Sequence, residues 1–286
     1  MEQRAPAFVD GARAAPRPDL SLLAQRLRQA LARSLKTAAS GPMQDGDRRG
    51  RGLIPGVEPE RLDLRVQELL RRPIRPDGAL ALALNSFLPW LPCPESLRLG
   101  GVSRFRELNF DVRCPTGVRG TPPHIELVAS GADGVVGVTV RVFDYLGQRQ
   151  SRLSPAYASF AVPAALASWA GLAGSGVAGA DRGRSGYVDV PALTKLALGL
   201  GRIFARRPVK LLYLFLEPVA AAGTVPFAEH RAELARLVER TRGSAVALVP
   251  VSFHELWEAW GTGDAPPGLR GTIAEVSRRY AVAMPR

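Results

Sequence analysis

The chain has 286 residues, is 46% hydrophobic and carries a formal net charge of +12, enough for a substantial core in one domain of about 230 residues. No run approaches the roughly 20 apolar residues that cross a bilayer, and Arg, Asp and Pro interrupt the first 30 residues where a signal peptide would be apolar. That excludes a membrane partner and makes a cytoplasmic protein the expectation. Cys93 and Cys114 are too few for a disulfide framework and stand in no zinc-ligand pattern. The positive charge favours a polyanion such as DNA. Only Lys36, Lys195 and Lys210 among the 38 basic residues are lysines, an arginine bias that a GC-rich genome would also produce.

Residues 1–52 mix Pro, Ala and Arg, with ten basic and five acidic residues, and read as a flexible basic arm ahead of an α/β domain at 53–286. Within the arm, Asp19 is placed to cap a helix whose Leu20, Leu23, Leu27, Ala30, Leu31 and Leu35 share a face, expected to be a marginal, solvated helix. A short helix follows at Leu62–Leu70. The apolar run Gly78–Leu88, ended by Pro89, predicts a buried helix. Glu107–Cys114, His124–Ser130 and Val135–Phe143 have strand character and predict a meander. The Ala/Gly/Ser-rich stretch 155–186 reads either as small helices or as a mobile insertion. Val190–Phe204 predicts a helix, and the continuous apolar run Val209–Leu216 a strand buried on both faces. A helix at Phe227–Arg242, a strand at Ala245–Val251 and helices at His254–Trp260 and Thr272–Ala283 complete the chain. The fold class expected from this order is α/β, with a mixed central sheet flanked by helices.

The sequence holds no P-loop, no nucleophile elbow and no H-E-x-x-H zinc helix. The meander is the remaining place for chemistry. On its third strand Gly137, Thr139, Arg141 and Phe143 share one face, while Val136, Val138, Val140 and Val142 form an apolar one. On the second strand His124, Glu126 and Val128 share a face. If the polar faces match, Glu126 approaches Thr139 and Arg141 on a face available for chemistry. A salt bridge between Glu126 and Arg141 is the plainer reading of the same placement. Trp90, Trp169, Trp257 and Trp260 read as core rather than as platforms for bases.

Pro123-His124-Ile125-Glu126, twelve intervening residues and Thr139-Val140-Arg141 resemble the PD-(D/E)XK nuclease motif. The flanking stretches VTVRVFDYL (138–146), YVDVPALTKLALGL (187–200), VKLLYLFLEP (209–218) and 227–260, with HRAEL and SFHELWEAW, are similar to a bacterial restriction-endonuclease-like family of that superfamily. The resemblance covers Gly78 to Trp260. It implies a restriction-endonuclease-like core, and in active members an acid on the second strand and the Glu of E-x-K holding Mg²⁺ while the Lys orients or activates the nucleophile.

Carried onto this chain, Glu126 matches the first acid, Thr139 stands in place of the second, and Arg141 in place of the Lys. A hydroxyl is a poor substitute for a carboxylate beside a hard cation, and a guanidinium with a pKa above about 12 accepts no proton. The expectation is a nuclease-like protein that acts on or binds DNA with impaired catalysis and without a cofactor. The alternative is an active Mg²⁺-dependent endonuclease in which Glu107 joins Glu126 as metal ligand and Lys195 supplies the ammonium, with Glu217 as a further carboxylate. A third reading is a protein-interaction module that keeps only the fold. A second copy of the chain or a component of a restriction system are further partners to consider.

Overall fold

The computed structural model describes residues 19–39, 62–157, 160–174, 186–263 and 265–285. Five strands form one mixed sheet: β1 (Phe105–Arg113), β2 (His124–Gly131), β3 (Val135–Val142), β4 (Val209–Leu216) and β5 (Val246–Ser252), in the spatial order β1-β2-β3-β4-β5. β2 pairs antiparallel with both β1 and β3, whereas β3, β4 and β5 are mutually parallel. The chain is therefore an α/β protein whose mixed, helix-flanked sheet is compatible with a restriction-endonuclease-like core.

The parallel strands need crossovers, supplied by α5 (Val190–Ile203) between β3 and β4 and by α6 (Val225–Arg240) between β4 and β5. β4 is the central parallel strand, and all its residues except the half-buried Lys210 are buried, as its unbroken apolar run predicts. Pro250 lies on the edge strand β5, where a missing N–H breaks no ladder bond on the solvent side. That edge is partly covered: Trp169 Nε1 of α4 (Ala167–Gly174) donates to the Val246 carbonyl at 2.9 Å, and the Ala245 N–H to the Ala165 carbonyl at 2.8 Å. The described part of the Ala-rich stretch thus forms short helices that cap a sheet edge; 175–185 lie outside the described residues. At the other edge a register shift near Phe105 and the left-handed Asp111 (φ 49°) interrupt β1, which blunts it against further pairing.

Local signals explain the helix starts. Asp63 accepts from the Arg65 and Val66 N–H groups ahead of α2 (Leu64–Leu70); Asp189 accepts from Ala192 N–H ahead of α5. Ser252 and Glu255 form a reciprocal capping box at α7 (Phe253–Thr262). α3 (Ala79–Phe87) runs into a 3₁₀ turn at Leu88–Trp90 that contains Pro89, so proline ends the α-helix at the expected place. α3, α7 and α8 (Pro267–Tyr280) join through aromatic contacts, Phe87 on Trp260 at 5.5 Å and Trp257 on Tyr280 at 6.2 Å. All four tryptophans are buried, which bears out the core reading.

The helix near the amino terminus corrects an expectation. α1 (Leu20–Ala39) is capped by Asp19, whose Oδ1 accepts from Ser21 and Leu22 N–H, but it is not a solvated helix. Ala24, Leu27 and Leu31 are buried in the main core. The helix packs on the 3₁₀ turn Asp144–Gly147 and on α8, where Ser34 Oγ donates to the Arg279 carbonyl at 3.0 Å. Burial of two leucines offers about 1.5–3 kcal/mol each, enough to hold a helix that is marginal alone. The remainder of the arm expected at 1–52 lies outside the described residues. Among those residues no helix is long and apolar enough to cross a membrane. Cys93 and Cys114 are both free thiols.

Candidate functional site

β2 and β3 pair with Leu127 opposite Val138 and Val128 opposite Gly137. The ladder ends at Leu127–Val138, and Glu126 lies just past it. Glu126 Oε2 accepts from the Val140 N–H at 3.2 Å, so the carboxylate is tied to the backbone of the neighbouring strand where the ladder ends. Burial pushes its carboxyl above the usual glutamate value, against the pull of Arg141, nearby N–H groups and the Thr139 hydroxyl.

Arg141 fills the space beside it. One terminal nitrogen donates to Thr139 Oγ1 at 3.1 Å and to the Val140 carbonyl at 2.9 Å. Its Nε lies 3.6 Å from Asp144 Oδ2, and its guanidinium sits 5.9 Å from the centre of the Tyr213 ring. The side chain is 18% exposed. Burial works against its charge, but Tyr213, Asp144, Glu126 and Asp189 outweigh burial and hold its pKa above the ordinary arginine value. The expected salt bridge between Glu126 and Arg141 is not formed: the ion-pair partner of Arg141 is Asp144, and Arg141 acts on Glu126 only through its charge.

The face carrying these groups is not open. Thr139 is 1% exposed. The strand register sets Thr139 beside Tyr213 and Arg141 beside Phe215, and both rings pack on His230 of α6, with Tyr213 Oη 3.1 Å from His230 Nε2 and the Phe215 ring 4.9 Å away. Further along, a Cβ on Gly137 would meet Leu200 of α5 at 2.6 Å and Ile125 at 2.9 Å; glycine there lets the helix lie close to the strand. The expectation of a polar face available for chemistry is thus corrected: crossover helices α5 and α6 cover it, and only its end near Arg141 and Asp144 reaches solvent.

The other sequence-derived candidates stand apart. Glu107 is exposed on β1 and pairs with Ser130, four residues from Glu126 along β2, a separation of about 13 Å. Its carboxylate accepts from Ser130 Oγ at 3.4 Å. Lys195, half-buried on α5, donates to the Arg152 carbonyl at 2.8 Å. Glu217, 3% exposed after β4, is held by Arg231 Nε and a terminal nitrogen at 2.7–3.1 Å, and Arg231 also reaches Glu255 at 2.9 Å. Glu107 is too far along the sheet to share a metal with Glu126, the Lys195 ammonium is engaged by the Arg152 carbonyl, and Glu217 is neutralised within its own ion-pair network.

Sequence spacing misses the acids that gather at Arg141. Asp144 follows β3 and accepts from the Val142 N–H at 2.8 Å. Asp189 caps α5 and accepts from Ser151 N–H and Oγ at 2.6–3.1 Å. A signal for Asp144 existed in its i+3 position from Arg141; Asp189 is linked to the site only through the fold. His230 is the other unforeseen feature, fully buried and stacked on Tyr145 at 4.1 Å, with Nδ1 lacking a partner among the described residues. Burial drives its pKa down to about 3, so it is neutral at physiological pH.

Mg²⁺, which the resemblance implies, does not fit these residues. One motif carboxylate is present and its Oε2 serves Val140; the second position is a hydroxyl engaged by Arg141, whose charge already acts on Glu126. Among the described residues no group of three or more His, Cys, Asp or Glu side chains is placed to hold a metal ion. The arrangement fixes strand ends and presents a partly exposed guanidinium beside the half-exposed Asp144 carboxylate. No protein-family model, curated protein or solved structure matches this chain.

Proposed function

We propose that this chain is a nuclease-like DNA-binding protein that does not cut. The observation that carries the reading is the Arg141 guanidinium, hydrogen-bonded to Thr139 beside Glu126, on a strand pair that resembles a nuclease motif. A metal-dependent phosphodiester hydrolase needs an anionic, hydrated pocket there; this one is partly closed and holds a fixed cation.

Binding is supported by charge. The net charge is +12, and four exposed arginines, Arg113, Arg119, Arg149 and Arg152, lie on the segments where β1 ends, β2 begins and the chain leaves β3. Arginines that neutralise phosphates release counterions, giving a slope of log K against log salt of about −0.9 per contact. Four contacts give about −3 to −4.

Fluorescence anisotropy with duplex and single-stranded oligonucleotides across a salt series tests this. The expected result is low-salt binding with that slope, reduced by about two when Arg149 and Arg152 become Ala. Absence of binding to either form at low salt would refute the DNA-binding reading.

A further inference from the structure

Positive charge at a nuclease-type position raises the question of what it does there. We infer that the Arg141 guanidinium is the resident cation of this site, filling the role that a bound divalent ion fills in a metal-dependent site, so that the fold here is held together without metal. Three observations combine. The guanidinium is surrounded by oxygen atoms of the kinds that bind hard cations, namely the Thr139 hydroxyl, the Val140 carbonyl and the Asp144 carboxylate, at 2.9–3.6 Å. The carboxylates that act on it are Asp144, Glu126 and Asp189, on the turn after β3, on β2 and at the start of α5 respectively, so one cation serves three separate elements. It also lies over the Tyr213 ring, whose face favours a cation. These groups are brought together by the strand register and crossover, not by proximity in sequence.

The consequence concerns selectivity. With the guanidinium in place, a divalent ion would meet a fixed like charge and a Glu126 oxygen already engaged by Val140. Without it, Glu126 and Asp144 face a space lined by a hydroxyl and a carbonyl, a donor set that hard ions such as Mn²⁺ and Mg²⁺ accept when water completes the shell. The inference concerns which cation the site holds and stands apart from DNA binding, since its readout contains no nucleic acid.

The test measures Mn²⁺ binding, by electron paramagnetic resonance and by the shift of the urea midpoint, for the full chain, for Arg141→Gln and for Arg141→Gln with Glu126→Gln. Gln keeps a hydrogen-bonding group near Thr139 and removes the charge. Wild type is expected to show no saturable binding. Arg141→Gln is expected to bind one Mn²⁺ at least about tenfold more tightly, because a like charge at contact range has gone, and the double variant to lose that gain. A folded Arg141→Gln protein with wild-type Mn²⁺ affinity and midpoint would overturn the inference. If Arg141→Gln is unfolded alone, recovery of its near-ultraviolet circular dichroism on adding Mn²⁺ supports it, and failure to recover overturns it. Saturable Mn²⁺ binding by wild type would also overturn it.

Discussion

Acidification should unfold this protein through His230. The ring is fully buried, touching Tyr145, Tyr213, Phe215 and Tyr187, with Arg231 as the neighbouring charge. Its pKa falls from 6.5 to about 3 on folding. A depressed folded pKa means the unfolded chain takes up the proton first, so stability is fully present above pH 6.5 and is lost as pH falls toward 3. At about 1.4 kcal/mol per unit, the full loss approaches 5 kcal/mol, of which about 2 kcal/mol appears between pH 7 and pH 5. The buried carboxyls Glu126, Glu217 and Glu233 have raised values and act in the opposite sense on further acidification, so a variant is needed to isolate the histidine. His230→Phe fits the aromatic cluster and cannot titrate. Urea unfolding of both proteins at pH 7, 6 and 5 should give a wild-type stability that declines by about 2 kcal/mol relative to the variant. Parallel pH profiles would refute the claim that His230 is held neutral by burial.

Removing the cation from the Glu217 pair should be costly. Arg231→Ala leaves a carboxylate that is 3% exposed without its partner, and because Arg231 itself is 31% exposed the loss falls near the lower end for buried pairs, about 3 kcal/mol at pH 7. Burial already raises the Glu217 carboxyl above 4.5, so the difference from wild type narrows as pH falls below that value and the group protonates in both states; an unchanged difference at pH 4 would contradict this. Leu31→Ala removes a fully buried side chain of α1 and should lower global stability by about 2–5 kcal/mol in urea unfolding. A change below about 0.5 kcal/mol, typical of surface positions, would mean that α1 is not part of the folded core.

Much of the sheet was legible because its signals are local. The unbroken run Val209–Leu216 has the composition of a strand buried on both faces, and β4 matches those limits. The antiparallel pairing of 127–130 with 135–138 was legible too, since strand period and register are short-range properties; the end of the ladder at Glu126, whose carboxylate turns to the Val140 N–H, was not. What failed was long-range. The face of α1 could be seen as apolar, but its partners, the turn at 144–147 and α8, lie over 100 and over 200 residues away, so a docked helix and a marginal one look alike in sequence. The same limit hid the covering of the polar face, which depends on where α5 and α6 cross the sheet, and the approach of Asp189 to Arg141.

The central claim is that Arg141 and Thr139 leave this site unable to cut. It is tested most directly by incubating purified wild-type protein with supercoiled and linear DNA over a range of Mg²⁺ and Mn²⁺ concentrations, with Glu126→Ala in parallel. The account predicts intact DNA under every condition and no difference between the two proteins. Nicking or linearisation by wild type that disappears in Glu126→Ala would contradict it.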